Sequence, residues 1–194
     1  MTKIKRDSLM TLEAYHKARP ELRKLAIEER RKRTVSLGDN LNLIFENELL
    51  MRYQIQEMMR VEKLFDDESI NDEIAAYDPL IPDGSNFKAT MMIEYSNEQD
   101  RKEALRRLVG IEHKIFIQVE GQARVYAIAD EDLERSTETK TSAVHFLRFE
   151  LTPDMKKSLK AGAQMMVGSD HKEYPMHVST LPDDTLASFE SDLT

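Results

Sequence analysis

The 194-residue sequence contains no cysteine. Disulfides, zinc ribbons, cysteine-ligated iron–sulfur clusters and thiol catalysis are therefore excluded for this chain. A redox role would need a bound cofactor, a histidine–carboxylate metal site or a partner. No apolar run approaches the roughly 20 residues of a membrane helix. The start, Met1-Thr-Lys-Ile-Lys-Arg-Asp7, lacks the apolar stretch of a secretory signal, so a cytoplasmic protein is expected. The six glycines are scattered, and none forms the G-x-x-x-x-G-K loop that cradles phosphates. Positive charge is in deficit: 28 Lys and Arg against 36 Asp and Glu leave a net −8. That balance argues against nonspecific binding to nucleic acid or acidic membranes over the whole surface. Internal repeats and low-complexity tracts are also missing.

What is present fits one domain: 40% of residues are hydrophobic, enough for a core, and 33% are charged. The patterning predicts an α+β fold, with long N-terminal helices packed on an antiparallel sheet. Residues 7–33 read as helical, with a restart at Pro20 and with Leu22, Leu25 and Ala26 facing inward. The run Arg30-Arg-Lys-Arg33 closes this helix as a solvated basic end, which suits the helix dipole. A phosphate or RNA contact is the alternative, though no stacking aromatics are interleaved. Residues 34–37 alternate as a short strand. Residues 41–65 read as one long helix, because Leu41, Ile44, Phe45, Met51, Ile55, Met58, Met59 and Phe65 recur at three- and four-residue steps. Asp39 or Asn40 would cap it. A short helix covers 70–77. Pro79 and Pro82-Asp-Gly84 then mark a boundary near 78–86, between a helical N-terminal part (1–78) and a sheet-bearing part (87–194) of one compact domain.

Residues 87–95 alternate as a strand. Ser96-Asn-Glu-Gln99 is a capping box that opens a helix over 97–109, and Gly110 closes it. Residues 114–120 and 123–129 form a hairpin about Gly121-Gln122. Asp130-Glu-Asp132 caps a short helical turn, 136–141 is a polar loop and 142–151 a further strand. Thr152-Pro153 opens a helix that ends near Gly162. A polar tail follows, then a last helix over 182–193. The order β-α-β-β-(short α)-β from 87 to 151 resembles the ferredoxin-like split βαβ arrangement.

Chemistry has three candidate locations. Glu48 and Arg52 are four apart with the acid first, which favours an ion pair. They either snorkel to water at the edge of the helix stripe or face an internal pocket. Lys88 and Glu94 share one face of their strand, and Arg148 and Glu150 share one face of theirs. If the two strands pair, these four meet, with Gln118 and Glu120 of the hairpin nearby and the long helix above. A pocket there would hold an anion on Lys88 and Arg148, with Glu94 or Glu150 as an acid–base group. The alternative is a solvent-facing sheet surface with cross-strand ion pairs. The third location is the histidines. None of the five sits at i,i+4 from another on a confident helix, and no Glu-x-x-His encodes a four-helix di-iron centre. His113 with Glu112, His145, and His171 with Asp170 are metal candidates if loops and strand ends bring them together; otherwise they are separate structural or surface histidines. Residues 168–174 read as a lid with His171 as acid or base.

Several blocks together are family-like: Leu43-Ile-Phe-Glu-Asn47, Gln54-Ile-Gln-Glu-Met58, Leu80-Ile-Pro-Asp-Gly-Ser-Asn86, Lys88-Ala-Thr-Met-Met-Ile-Glu94, Gly110-Ile-Glu-His113, Val119-Glu-Gly121 and His145-Phe-Leu-Arg-Phe-Glu-Leu151. Over residues 10 to 175 the chain resembles a bacterial domain-of-unknown-function family, the one numbered 3501. That family has no established activity. Its genes tend to neighbour those for rubrerythrin-like proteins and iron–sulfur oxidoreductase subunits. The resemblance therefore implies an accessory protein of an oxidative-stress or electron-transfer system, with such proteins as partners; a homodimer is a further expectation.

Overall fold

Gly38 reverses the chain between the first two strands, so the segment after the first helix is a hairpin. The computed structural model describes residues 4–178 and 180–194. A 3-10 turn, Arg6–Ser8, precedes helix α1 (Leu12–Lys32). The Thr11 hydroxyl caps α1 by accepting the Ala14 N–H at 3.3 Å. Helix α1 runs straight through Pro20, with no restart there. Proline removes one donor, and it does so on the exposed side of the helix. Ala26 is buried as expected, whereas Leu25 is exposed.

Strands β1 (Thr34–Leu37) and β2 (Leu41–Phe45) pair about Gly38, whose φ of 68° suits glycine. The expected helix over 41–65 is thus a strand followed by a shorter helix, α2 (Glu48–Glu62). Leu41 and Phe45 fit the two-residue period as well as the helical one, and Leu43 between them completes the strand face; all three are buried. Asn47, rather than Asp39 or Asn40, caps α2 by accepting the Leu50 N–H at 3.0 Å. Lys63 adopts a left-handed conformation and ends the helix, leaving Phe65 outside and 74% exposed. The first 78 residues therefore supply two strands as well as helices.

Helix α3 (Asp67–Tyr77) and a 3-10 turn (Asp78–Leu80) lead to β3 (Asn86–Ile93). Then come α4 (Glu98–Arg107), a 3-10 turn (Ile111–His113), β4 (Ile115–Val119), β5 (Arg124–Tyr126), β6 (Ile128–Ala129), β7 (Val144–Glu150) and α5 (Pro153–Lys160). Residues 163–181, read as a tail, carry a hairpin of β8 (Met165–His171) and β9 (Tyr174–Val178) before α6 (Asp183–Glu190).

The strands form two antiparallel sheets, ordered β1-β2-β3-β7-β6 and β5-β4-β8-β9. The expected pairing of β3 with β7 is present, with Lys88 opposite Arg148. The ferredoxin-like topology is not, because α4 links strands of different sheets. The segment 124–129 serves both sheets. Its first half pairs with β4, the Ala127 N–H donates to the Ile115 carbonyl at 2.9 Å, and its second half pairs with β7.

The inner faces of both sheets, with α4, α5 and α6, share one core. Phe45, Phe87, Phe149 and Phe189 lie at its centre with ring centroids 4.6 to 6.2 Å apart. Helices α1, α2 and α3 cover the outer face of the five-stranded sheet through Leu50, Met51, Ile55, Met59 and Ile70 packed on Ile44 and Met92. The protein is an α+β fold. No helix among the described residues is long and apolar enough to cross a membrane.

The basic end of α1 is not wholly solvated. Arg33 is fully buried, and its guanidinium donates to the Phe45 carbonyl at 2.7 Å, to the Ser188 carbonyl at 2.8 Å and to Asp192. Burial pushes the Asp192 carboxyl up to about 6, against the pull of Arg33.

Candidate metal centre

Alternation along β7 turns His145 inward with Leu147 and Phe149, and its side chain is fully buried. Two other segments bring carboxylates to it. After α4, Gly110 at φ 82° reverses the chain into the 3-10 turn, which buries Glu112 and leaves His113 exposed. After β6, Asp130 takes a left-handed conformation at φ 52°, which Asp tolerates better than most residues. Its N–H donates to the Phe146 carbonyl at 2.9 Å, and its Oδ1 accepts the Phe146 N–H at 3.1 Å. That clamp aims Oδ2 at His145 Nδ1, 2.5 Å away.

With the proton on Nδ1 donated to Asp130, the Nε2 lone pair faces Thr141 Oγ1 at 2.8 Å and Glu112 Oε2 at 4.0 Å. The Ser142 carbonyl lies 3.2 Å from the same nitrogen. Ser136 donates to Glu112 Oε1 at 2.6 Å, and Thr141 Oγ1 lies 3.3 Å from Oε2. Thr141 is held in turn by its N–H donating to the Leu105 carbonyl of α4 at 3.0 Å. Burial alone would raise the Glu112 carboxyl. The Ser136 hydroxyl, the backbone N–H and the neighbouring His145 outweigh it, so Glu112 is held below the usual range. Arg135 reaches Asp130 at 3.4 Å and stacks over Phe146 at 4.7 Å. One ligand atom each from Glu112, Asp130 and His145 lie within 4.8 Å of one another.

Of the three histidines picked from the sequence, only His145 takes part. His113 points to solvent, and His171, buried in β8, sits 3.2 Å from the Val109 carbonyl. The residues expected to form a lid are strand β8 and its turn. Asp170 is bound by Arg124 at 2.7 Å and by Tyr126 at 2.5 Å. In the sequence Asp130 reads only as a cap, and Ser136 and Thr141 only as parts of a polar loop. The polar loop was visible in the sequence, but its approach to the 3-10 turn after α4 is a long-range contact that no local pattern encodes.

The charged candidates divide. Arg52 bonds Glu48 at 2.6 Å and the Ser8 carbonyl at 3.0 Å, at the half-exposed edge of α2. Glu94 accepts from Asn42 at 2.6 Å on the surface, and Glu120 is exposed at the turn after β4. Arg148 grips both oxygens of Glu131 at 2.7 Å and also bonds Glu150, which accepts from Asn86 at 3.0 Å. Lys88 and Arg148 line a cleft of about 360 Å³ beneath Tyr77 and Leu80. Helix α2 covers other parts of that sheet face, and Glu48 and Arg52 do not reach the cleft.

A comparison with curated proteins finds no match. Among solved structures, the crystal structure of a protein of unknown function from Burkholderia pseudomallei is 53% identical, covers 100% of both chains and superimposes with a TM-score of 0.93. The family model described as "Protein of unknown function (DUF3501)" matches residues 3–193. With nearly every residue inside that match, the chain belongs to the DUF3501 family.

Proposed function

We propose that this protein binds one divalent first-row metal ion through Glu112, Asp130 and a ring nitrogen of His145. The observation that carries the reading is the convergence of three ligand atoms within 4.8 Å from three separate segments. Atoms bound to one ion at about 2.0–2.2 Å stand about 3.3–3.6 Å apart in a tetrahedral shell, so binding replaces the proton between His145 Nδ1 and Asp130, 2.5 Å apart, and draws Glu112 inward. One imidazole and two carboxylates suit zinc, iron or manganese rather than the all-oxygen shell of calcium or magnesium. The buried Glu112 and the partly buried Asp130 are costly to bring together without positive charge; Arg135 meets Asp130 from one side, and a metal ion would balance Glu112 as well. Ser136 and Thr141 orient Glu112 by hydrogen bonds, as outer groups do around ligating side chains. Three protein ligands leave coordination positions for water or substrate. The accessory role in oxidative stress or electron transfer, with rubrerythrin-like or iron–sulfur oxidoreductase partners, is part of this proposal. Without cysteine, iron or manganese at this site is the route to redox chemistry within the chain itself.

Elemental analysis of untagged protein, purified without chelator and then dialysed against iron(II), manganese(II) or zinc(II), tests the reading. About one equivalent of one metal is expected. Glu112→Gln, which keeps size, and His145→Asn, which removes the imidazole but keeps a polar group, should lose it while retaining the wild-type circular dichroism. Substoichiometric binding of all three metals, or full retention in folded His145→Asn, overturns the proposal.

A further inference from the structure

We infer that the cleft on the outer face of the five-stranded sheet binds a small organic monocarboxylate with an apolar body, its carboxylate on Lys88. The two cations there are direct cross-strand partners, and like charges placed opposite one another repel. They are compensated differently. Arg148 bonds two carboxylates, Glu131 and Glu150, so these groups together with Lys88 sum to zero charge. Lys88 has no carboxylate within ion-pair distance among the described residues. Its ammonium donates to the Pro79 carbonyl, and Glu131 and Asp83 feel its charge only at longer range. Lys88 is half-buried, so an anion that reaches it gains more than it would from a fully solvated lysine.

The remaining walls set the rest of the ligand. Tyr77, Pro79 and Leu80 form one apolar side and Phe146 the other, and Lys88, Glu131, Asp132 and Arg148 supply the charged part of the lining, a mix of apolar walls and polar groups as in small-molecule sites. The volume of about 360 Å³ lies at the lower end of the range for such sites. Glu131 and Asp132 also line the cleft. Their charges oppose a dianion such as a phosphate monoester, whereas a single carboxylate can pair with the Lys88 ammonium, the lining cation that no carboxylate contacts directly among the described residues. The site lies on the other face of β7 from His145, because Phe146 and His145 alternate, so it stands or falls separately from the metal proposal.

The test is a titration of the full-length, 15N-labelled chain with 3-phenylpropanoate, followed by amide shifts. Its positively charged counterpart, 3-phenylpropylamine, serves as control. Saturable shifts are expected at residues 76–80, 88, 131–132 and 146–148 with the acid and none with the amine. Lys88→Met should weaken binding about tenfold, as expected for losing a charged hydrogen bond, and Lys88→Arg should restore most of it. Both variants keep a long side chain at a half-buried position, and their spectra report whether they fold. No saturable shift below about 10 mM acid, a weaker limit than any specific site would set, overturns the inference. So does equal binding of the amine, or unchanged affinity in Lys88→Met.

Discussion

Arg33 and Arg148 are both paired with carboxylates, yet burial gives them different weights. The Arg33 side chain is 0% exposed and anchors Asp192, Ser188 and two carbonyls of the β2–α2 junction. Arg33→Met leaves a buried Asp192 with no counter-charge, and breaking a buried pair in this way costs about 3–5 kcal/mol. Arg148 is 25% exposed, and its partners Glu131 and Glu150 are about half exposed. Arg148→Ala should cost no more than about 1 kcal/mol. Urea unfolding at neutral pH measures both, and equal losses would contradict this ranking. Alternation in the sequence placed Lys88 and Arg148 each on one face of its strand, but their meeting depended on the two strands pairing, and alternation alone did not say that the His145 face is the buried one. The burial of Arg33 was not legible, since a cation in the last turn of a helix is ordinarily solvated. Only the distant α6 makes this one an interior residue.

At the scale of elements, β8 is the strand the sequence hid. It carries Gly168, Ser169, Asp170 and His171 in succession, a string that reads as a polar loop. Pro175 breaks the pattern of its partner β9. Gly168 is there because the strand passes close under Phe116. A Cβ at 168 would meet Phe116 Cζ at 2.5 Å and His177 Cβ at 2.9 Å. Gly168→Ala should therefore destabilise by about 1–3 kcal/mol through overpacking and lower Tm by several degrees. Adding Phe116→Leu should recover part of the loss; a neutral Gly168→Ala would mean that β4 and β8 are less tightly packed than described. Elements with local signals were legible: the strand over 86–93, helix α5 behind Thr152-Pro153, and α4, whose cap is Asn97 within the predicted box. Residues 41–45 were not, because their spacing satisfies two periods and only pairing with β1 and β3 decides between them. The metal candidate shows the same division. His145 and Glu112 stood out as residue types, whereas Asp130 reaches them because the segment 124–129 changes sheets.

For the whole molecule, two carboxylates tie helices to the rest of the fold and give pH dependence of opposite sign. Glu57 on α2 accepts from Arg19 at 2.7 and 2.9 Å, from Tyr15 at 2.6 Å and from Arg60 at 3.1 Å. Arg19 above all holds Glu57 down at about 2, against an ordinary value of 4.5. Its contribution is present above about pH 4.5 and lost as pH falls toward 2, because the unfolded chain binds the proton first. Asp192 is raised by burial from 3.8 to about 6. In that interval the folded state holds the proton and the unfolded state does not. The Asp192 contribution is therefore complete below about pH 3.8 and declines as pH rises through 6. Unfolding free energies from pH 3 to 7, for wild type, Glu57→Gln and Asp192→Asn, separate the two. The wild-type advantage over Glu57→Gln should grow with pH up to about 4.5 and then level off, and wild type should lose ground to Asp192→Asn between about 4 and 6. A wild-type advantage over Asp192→Asn that instead grows across that interval would mean that Arg33, not burial, sets the charge of Asp192. The α6 anchor would then be an ion pair throughout the acid range.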